Sequence, residues 1–385
     1  MEGKIYLDHA ATTPLDREVF EKMIPFYTDV FGNADSLHSF GRSGQNAVDN
    51  ARDKIAELIG AKPSEIYFTS GGTESDNWAM LGSAYAMKKQ GKTHILVSSI
   101  EHHAVLSSAE RLEKDGFDVE YLPVNAGGRV EIAEAQKRLR ADTALVAVMA
   151  ANNETGAIQP IKEIGALAKA NGALFFTDCV QYAPYRKIDV AEMNADMISL
   201  SSHKFYGPKG CGVLYVKKGV AVEKLVAGGE QERGMRGGTL NVPSIVGFAY
   251  AFEKCVQEQE RNAEKLKTLR EVFLQELLKI DGVTLNGEFK ADGSDGTQSV
   301  VNVRIDGVDN GTFLYNMDLN GIAVAAGPAC ASASLKPSHV LTAMGLTEKQ
   351  AKSSVRFSFG KDNTEEELVF TAKTVGKIVK KLKSK

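Results

Sequence analysis

Cysteine is scarce in this chain. Its 385 residues hold only Cys179, Cys211, Cys255 and Cys330, at separations of 32, 44 and 75 residues. Those spacings fit neither a zinc knuckle nor a dithiol redox motif, so no metal-ligand set is expected, and thiols so thinly spread suggest a reducing cytoplasm. Long apolar runs are also missing. None approaches the roughly 18 residues a membrane helix needs, and the opening "MEGKIYLDHAATTP" has no basic region followed by an apolar core. The expectation is a cytosolic protein with no membrane contact. An excess of either charge is absent as well: 46 basic residues against 49 acidic give a formal charge of −3, which offers nothing to nucleic acid. No internal repeat is visible.

What the chain does have is length and ordinary globular substance. It exceeds the size at which a single core keeps growing, so two domains are expected. Hydrophobic residues make up 43% and charged residues 25%, enough for a sizeable core. Short apolar runs alternate with helical patterns: "EIYFTS" (65–70), "THILVSS" (93–99), "ALVAVM" (144–149), "ALFFTD" (173–178) and "DMISLS" (196–201). Strands alternating with amphipathic helices imply right-handed crossovers and an α/β fold with a mainly parallel sheet. In "IKEIGALAKAN" (161–171), Ile161, Ile164, Leu167 and Ala168 share one face, and Gly172 is placed to stop the helix. A long helix is expected over about 244–280, as a connector to a smaller α+β unit with apolar runs at 299–305, 321–327 and 354–360.

In open parallel sheets ligands bind beyond the carboxyl ends of the strands, so the residues that follow each run belong together. The first run is followed by "GGTES", where free N–H groups and Thr73 could hold an anion, though an ordinary turn reads the same way. The second ends in "EHHA" with His102 and His103, and the third in "NNETG" with Asn152 and Asn153. The fourth ends in "TDCVQ", with Asp178 at the rim and Gln181 close behind; a carboxylate there needs a partner, for which a nearby cation would serve. The fifth ends in "SSHKFYGPKG", where Lys204 is either solvated or, with its ammonium partly desolvated, a nucleophile toward carbonyls. A phosphate cradle, a rim aspartate, a histidine and a lysine together fit a cofactor with a phosphate, a basic ring nitrogen and an aldehyde. Pyridoxal 5'-phosphate has all three. Separately, "GPACASAS" (327–334) sets Cys330 among small residues, which by themselves suit a buried thiol as well as a reactive one.

The motifs "YLDHAATTP" (6–14), "FTSGGTESDN" (68–77), "EHHAV" (101–105), "NNETGAIQPI" (152–161), "DCVQ" (178–181), "SSHKFYGPKG" (201–210), "RGGTLNV" (236–242), "ACASAS" (329–334) and "VRFSFG" (355–360) resemble, nearly end to end, the cysteine desulfurases of the class V aminotransferase group. The resemblance implies the pyridoxal-phosphate fold type I: a seven-stranded-type sheet flanked by helices in a large domain over 15–255, and a small α+β domain of 1–14 plus 256–385. It makes Lys204 the Schiff-base lysine and Asp178 the partner of the ring nitrogen. It sets His102 over the ring, Gln181 against the phenolic oxygen and Asn152 near cofactor and substrate. Gly72, Thr73, Ser201 and His203 would hold the phosphate, with Thr239 reaching in from a second subunit of a homodimer. Arg356 would take the carboxylate of L-cysteine through a two-point contact.

The implied reaction converts L-cysteine to L-alanine. Lys204 moves the α-proton, His102 handles protons, and the Cys330 thiolate takes the sulfur as a persulfide. An iron–sulfur scaffold or a tRNA-thiolation enzyme would then receive it. The long segment between Cys330 and Arg356 resembles the form of the family with an extended catalytic loop, and small neighbours are expected to let that loop move. The alternative is another class V enzyme, a selenocysteine lyase or an aminotransferase. Departures from the family pattern are Ala34 and Asp35 for the usual proline and serine, Pro328 for serine, and Cys179, read as a packed thiol, for alanine.

Overall fold

A computed structural model describes residues 3–290, 294–327 and 337–384. Cys330 and Pro328 lie outside the described residues. The chain opens with a short strand, β1 (Ile5–Tyr6). It then builds β2 (Ile66–Thr69), β3 (His94–Ser98), β4 (Asp118–Leu122), β5 (Thr143–Ala147), β6 (Leu174–Asp178), β7 (Met197–Ser201) and β8 (Gly212–Val216). These seven form one sheet in the order β2-β8-β7-β6-β5-β3-β4. Only β8 runs antiparallel to its neighbours; the other six point the same way. Every residue of β3, β5, β7 and β8 is buried, as strands covered by helices on both faces must be, and this is why they read as continuous apolar runs.

Helix Ile161–Asn171 ends where expected: Gly172 adopts a left-handed φ of +72° and its N–H returns to Ala168 and Lys169. Ile161, Ile164 and Ala168 are buried and Leu167 half-buried. The long connector is helix Val242–Leu277, started by Asn241, whose side chain accepts from Ser244 N. Its first turns, through Phe252, belong to the core beneath the large sheet. Leu266, Leu269, Phe273 and Leu277 belong to a separate core.

That second core lies against a three-stranded antiparallel sheet of β9 (Val283–Leu285), β10 (Val300–Ile305) and β12 (Ser354–Ser358), in the order β12-β10-β9; β11 (Ile322–Ala323) pairs with β1. Phe273 meets Phe357 and Phe359 edge to face, with ring centres 5.0 and 5.6 Å apart. Each such buried ring is worth about 1.5–3 kcal/mol. From β1 the chain runs beside β12, with Ser358 N on Leu7 O (2.8 Å) and His9 N on Ser358 O (3.2 Å), and then crosses toward the large sheet. No helix among the described residues is long and apolar enough to cross a membrane.

Candidate active site

Beyond β7 the chain turns tightly through Ser202–Lys204. Lys204 Nζ donates to the carbonyls of Ala10 (2.7 Å) and Ala11 (2.8 Å), and Gln181 Nε2 donates to the same Ala10 oxygen (2.7 Å). Thr13 donates through its hydroxyl (2.9 Å) and its N–H (3.0 Å) to His203 O, while His203 Nδ1 lies 3.1 Å from Thr12 Oγ1. Residues 8–13 are therefore laid across the carboxyl ends of β6 and β7 as a strap. The lysine, the glutamine and the histidine that the sequence nominated separately all meet it.

Asp178 closes β6 and is buried, with Oδ1 accepting from Val180 N (2.8 Å). Burial raises its pKa to about 6, while the Val180 N–H and the nearby Lys204 charge hold it back. It is not alone. Asp76 and Glu101 are each 1% exposed and also pushed well above the usual carboxylate range, first by burial and further by one another or by Asp178. Asp76 Oδ1 and Ser199 Oγ share a hydrogen bond (2.5 Å), and Glu101 Oε1 accepts from Met149 N (2.6 Å). His102 caps helix His103–Lys114 through Nδ1, which accepts from Ala104 N (3.2 Å). Burial, then the Lys204 charge, lowers its pKa to about 4, so the ring is neutral at pH 7 and can take a proton. His203 is held at about 4 for the same two reasons.

The anion cradle follows β2. Gly71 has a φ of +154° and leads into a helical run over residues 72–88. A Cβ added at Gly72 would stand 3.0 Å from Val180 Cγ2 and 3.5 Å from Ser201 Cβ, so a side chain there would fill the space before the helix start. Donors of this kind, beside a buried carboxyl and a lysine, fit a phosphorylated ring cofactor. Arg236 grips Glu74 with two bonds (2.8 and 3.0 Å), tying the loop of Thr239 to this helix; Thr73 and Thr239 are exposed.

Two nominated residues already have bonds within the fold. The Asn152 side chain is spent on its own turn: Oδ1 accepts from Glu154 N (2.9 Å) and Thr155 N (3.0 Å), and Nδ2 donates to Ile100 O (3.0 Å). Arg356, 1% exposed on β12, donates to Asp8 Oδ1 (2.7 Å) and Asn153 O (2.9 Å), and its Nε has no partner among the described residues. Cys330 lies outside the described residues. Sequence reasoning did not single out Asp8, Ala10, Thr12, Asp76, Glu101 or Ser199. Their signal was weak: "LDHAAT" resembles an exposed tail, and the "SDN" after the cradle resembles an exposed helix face.

The model of the family described as Aminotransferase class-V matches residues 5–369. Cysteine desulfurase IscS of Clostridium botulinum is 46% identical over 99% of this chain and 95% of its own. Cysteine desulfurase IscS of Dictyoglomus turgidum is 44% identical over 100% and 96%. A solved NifS-like protein superposes with a TM-score of 0.91 at 36% identity, covering 98% of this chain and 99% of its own.

Proposed function

The chain belongs to the class-V aminotransferase family and is a cysteine desulfurase, and from that premise we propose that it works with pyridoxal 5'-phosphate held at the carboxyl ends of β2, β3, β6 and β7. One observation carries this reading: Asp178, Gln181, His102 and His203 converge on Lys204 beneath the strap of residues 8–13. When bound, the cofactor supplies an electron sink for the substrate carbon that gives up its proton.

The protein's own residues do the rest. Gly72, Thr73, Ser201 and His203 would hold the phosphate, with Thr239 supplied by a second subunit of a homodimer; Asp178 would accept from the ring nitrogen and Gln181 would serve the phenolic oxygen. Lys204, half-buried against two carbonyls, would anchor the cofactor and then move the α-proton. His102, neutral at pH 7, accepts a proton. Arg356 takes the substrate carboxylate with its spare donors, and Asn152 lies near cofactor and substrate in the turn that presents Asn153 O to Arg356. The Cys330 thiolate takes the sulfur: the substrate Cβ–S bond breaks with its electrons left on carbon, which is protonated to L-alanine, and the new S–S bond makes a persulfide on Cys330.

Free thiols titrate near pH ~8.5, so proton removal at Cys330 is needed at neutrality. An iron–sulfur scaffold or a tRNA-thiolation enzyme then receives the sulfur in a reducing cytoplasm. The division into 15–255 and 1–14 plus 256–385 has its support in the separate core that Leu7 shares with residues from Leu266 onward.

The test is mass spectrometry after exposure to L-cysteine. One added sulfur on Cys330 is expected, together with loss of alanine and sulfide release in Cys330→Ala. Label on another residue overturns the assignment, and undiminished turnover of selenocysteine by Cys330→Ala would favour a lyase. Sedimentation as a fully active monomer would remove the role of Thr239.

A further inference from the structure

Asp178 faces Ser199 directly across the β6–β7 pair, close enough for the Ser199 hydroxyl to lower the pKa of its carboxyl, and Ser199 Oγ stands 2.5 Å from Asp76 Oδ1. Ser199 is wholly buried and Asp76 nearly so. A single hydroxyl thus stands between two buried carboxyls that approach it from different elements, β6 and the helix after the cradle. Two carboxylates so placed cannot both be ionised without a large desolvation and repulsion cost, so one of them holds a proton.

The surroundings decide which. Asp178 receives the Val180 N–H and has the positive Lys204 nearby. Among the described residues the Asp76 side chain has one hydrogen-bond partner, Ser199, and the charged or titratable groups that act on it there are Asp178 and Glu101, with the Cys179 thiol beside them, none of them cationic. The proton belongs on Asp76. A protonated carboxyl donates to the serine oxygen, and the serine hydroxyl is then free to donate to Asp178.

We propose that Asp76, acting through Ser199, is a positioning residue that fixes the Asp178 carboxylate in its ionised form and aims it at the cofactor ring. The arrangement is a two-bond relay in which each donor is set by the one behind it. This rests on the proposed cofactor site, and it adds two residues that do not touch the ring.

The experiment uses the full-length protein stripped of cofactor. In its infrared spectrum a protonated-carboxyl band is expected that Asp76→Asn abolishes; a spectrum in which Asp76→Asn removes no such band overturns the proposal. Reconstitution with pyridoxal 5'-phosphate supplies the second readout. Asp76→Ala and Ser199→Ala are each expected to weaken cofactor binding on the order of tenfold, the cost of losing a buried hydrogen bond to a charged group. Asp76→Asn, whose amide still donates to Ser199, is expected to recover most of that loss. Ser199→Ala deletes one oxygen and keeps the readout available should Asp76→Ala fail to fold. Equal affinity in Ser199→Ala and the parent, or an Asp76→Asn as weak as Asp76→Ala, overturns the relay. A parent protein that binds no pyridoxal 5'-phosphate instead overturns the cofactor reading, which the infrared result does not depend on.

Discussion

Two buried arginines show how differently this molecule uses the same pair of charges. Arg52 grips Glu232 with both terminal nitrogens (2.8 and 2.6 Å), donates a further bond to Ile66 O (2.6 Å), and lies over the Phe68 ring; Glu232 also accepts from Phe68 N (2.9 Å). Arg356 has one bond to Asp8, one to a carbonyl, and an Nε with no partner among the described residues. The first pair is closed: both terminal nitrogens of Arg52 and both oxygens of Glu232 are bonded within the fold. The second is open on one side among the described residues, and that unused donor is what the proposed contact with a substrate carboxylate would use. Closed pairs serve architecture, and here the closed pair fixes the loop of Glu232 and Arg233, whose φ values of +48° and +60° would otherwise be strained.

The largest effect expected from this contrast is on stability. Arg52→Met leaves the wholly buried Glu232 without its cation and should cost about 3–5 kcal/mol in denaturant unfolding, since an uncompensated interior charge is worse than none. A neutral result would mean that the closed pair does not hold the loop. Arg356→Ala should cost less in unfolding, because Asp8 is 21% exposed in its side chain and water can take over. Its loss is expected in catalysis: a fall in kcat/KM of about a hundredfold, the size of a truncated buried carboxylate contact. Arg356→Lys should fall nearly as far, because a lysine cannot reproduce the two-point fork. If it were fully active, the open side of Arg356 would not be the substrate site.

How much of this was legible beforehand follows from what periodicity can carry. Strands β2, β3, β5, β6 and β7 stood out because burial on both faces turns them into apolar runs, and Asp178 and Lys204 drew notice because the first ends one such run and the second follows another within three residues. Direction leaves no such trace, so nothing in "GVLYV" marked β8 as the one strand running backwards. The strap was quoted as a motif, yet its contact with Lys204 joins residues nearly two hundred apart and uses carbonyls, which every residue has. Asp76 was missed for the opposite reason. Its neighbours Thr73, Glu74 and Asn77 are polar, the helix face it occupies reads as wet, and only packing against β7 buries it. Asn152 shows the remaining limit: sequence can nominate a polar residue at a strand end without showing which hydrogen bonds its side chain makes in the turn.

A smaller effect tests whether the open pair is aimed by its partner. Asp8→Asn keeps the hydrogen-bond acceptor for Arg356 but removes the charge, so KM for L-cysteine should rise about fivefold with kcat less affected, the share expected of charge assistance in one bond. An unchanged KM would show that Asn153 O alone suffices to hold the guanidinium.

The smallest effect separates paired from unpaired carboxyls by the sign of their pH dependence. Asp16 bridges Lys254 on the connector helix (3.1 Å) and Lys361 beyond β12 (2.8 Å); burial alone would raise its pKa, but bonds from the two lysines bring it to about 2. Its folded value lies below the unfolded one near ~3.9, so its stabilisation is present above about pH 4 and is lost as pH falls toward 2. Water at this rim screens the cluster, and Asp16→Asn should cost no more than about 1 kcal/mol. That difference should be constant from pH 7 down to about 4 and vanish below. Glu101 has no cation against it and its second oxygen lacks a partner among the described residues. With its folded pKa raised, its contribution is full below about pH 4 and is lost as pH rises through the folded value. Glu101→Gln, which keeps the acceptor for Met149 N, should therefore gain on the parent as pH rises. Unfolding curves for the two variants across pH should tilt in opposite senses, and parallel tilts would show that the buried acids beneath Lys204 are paired after all.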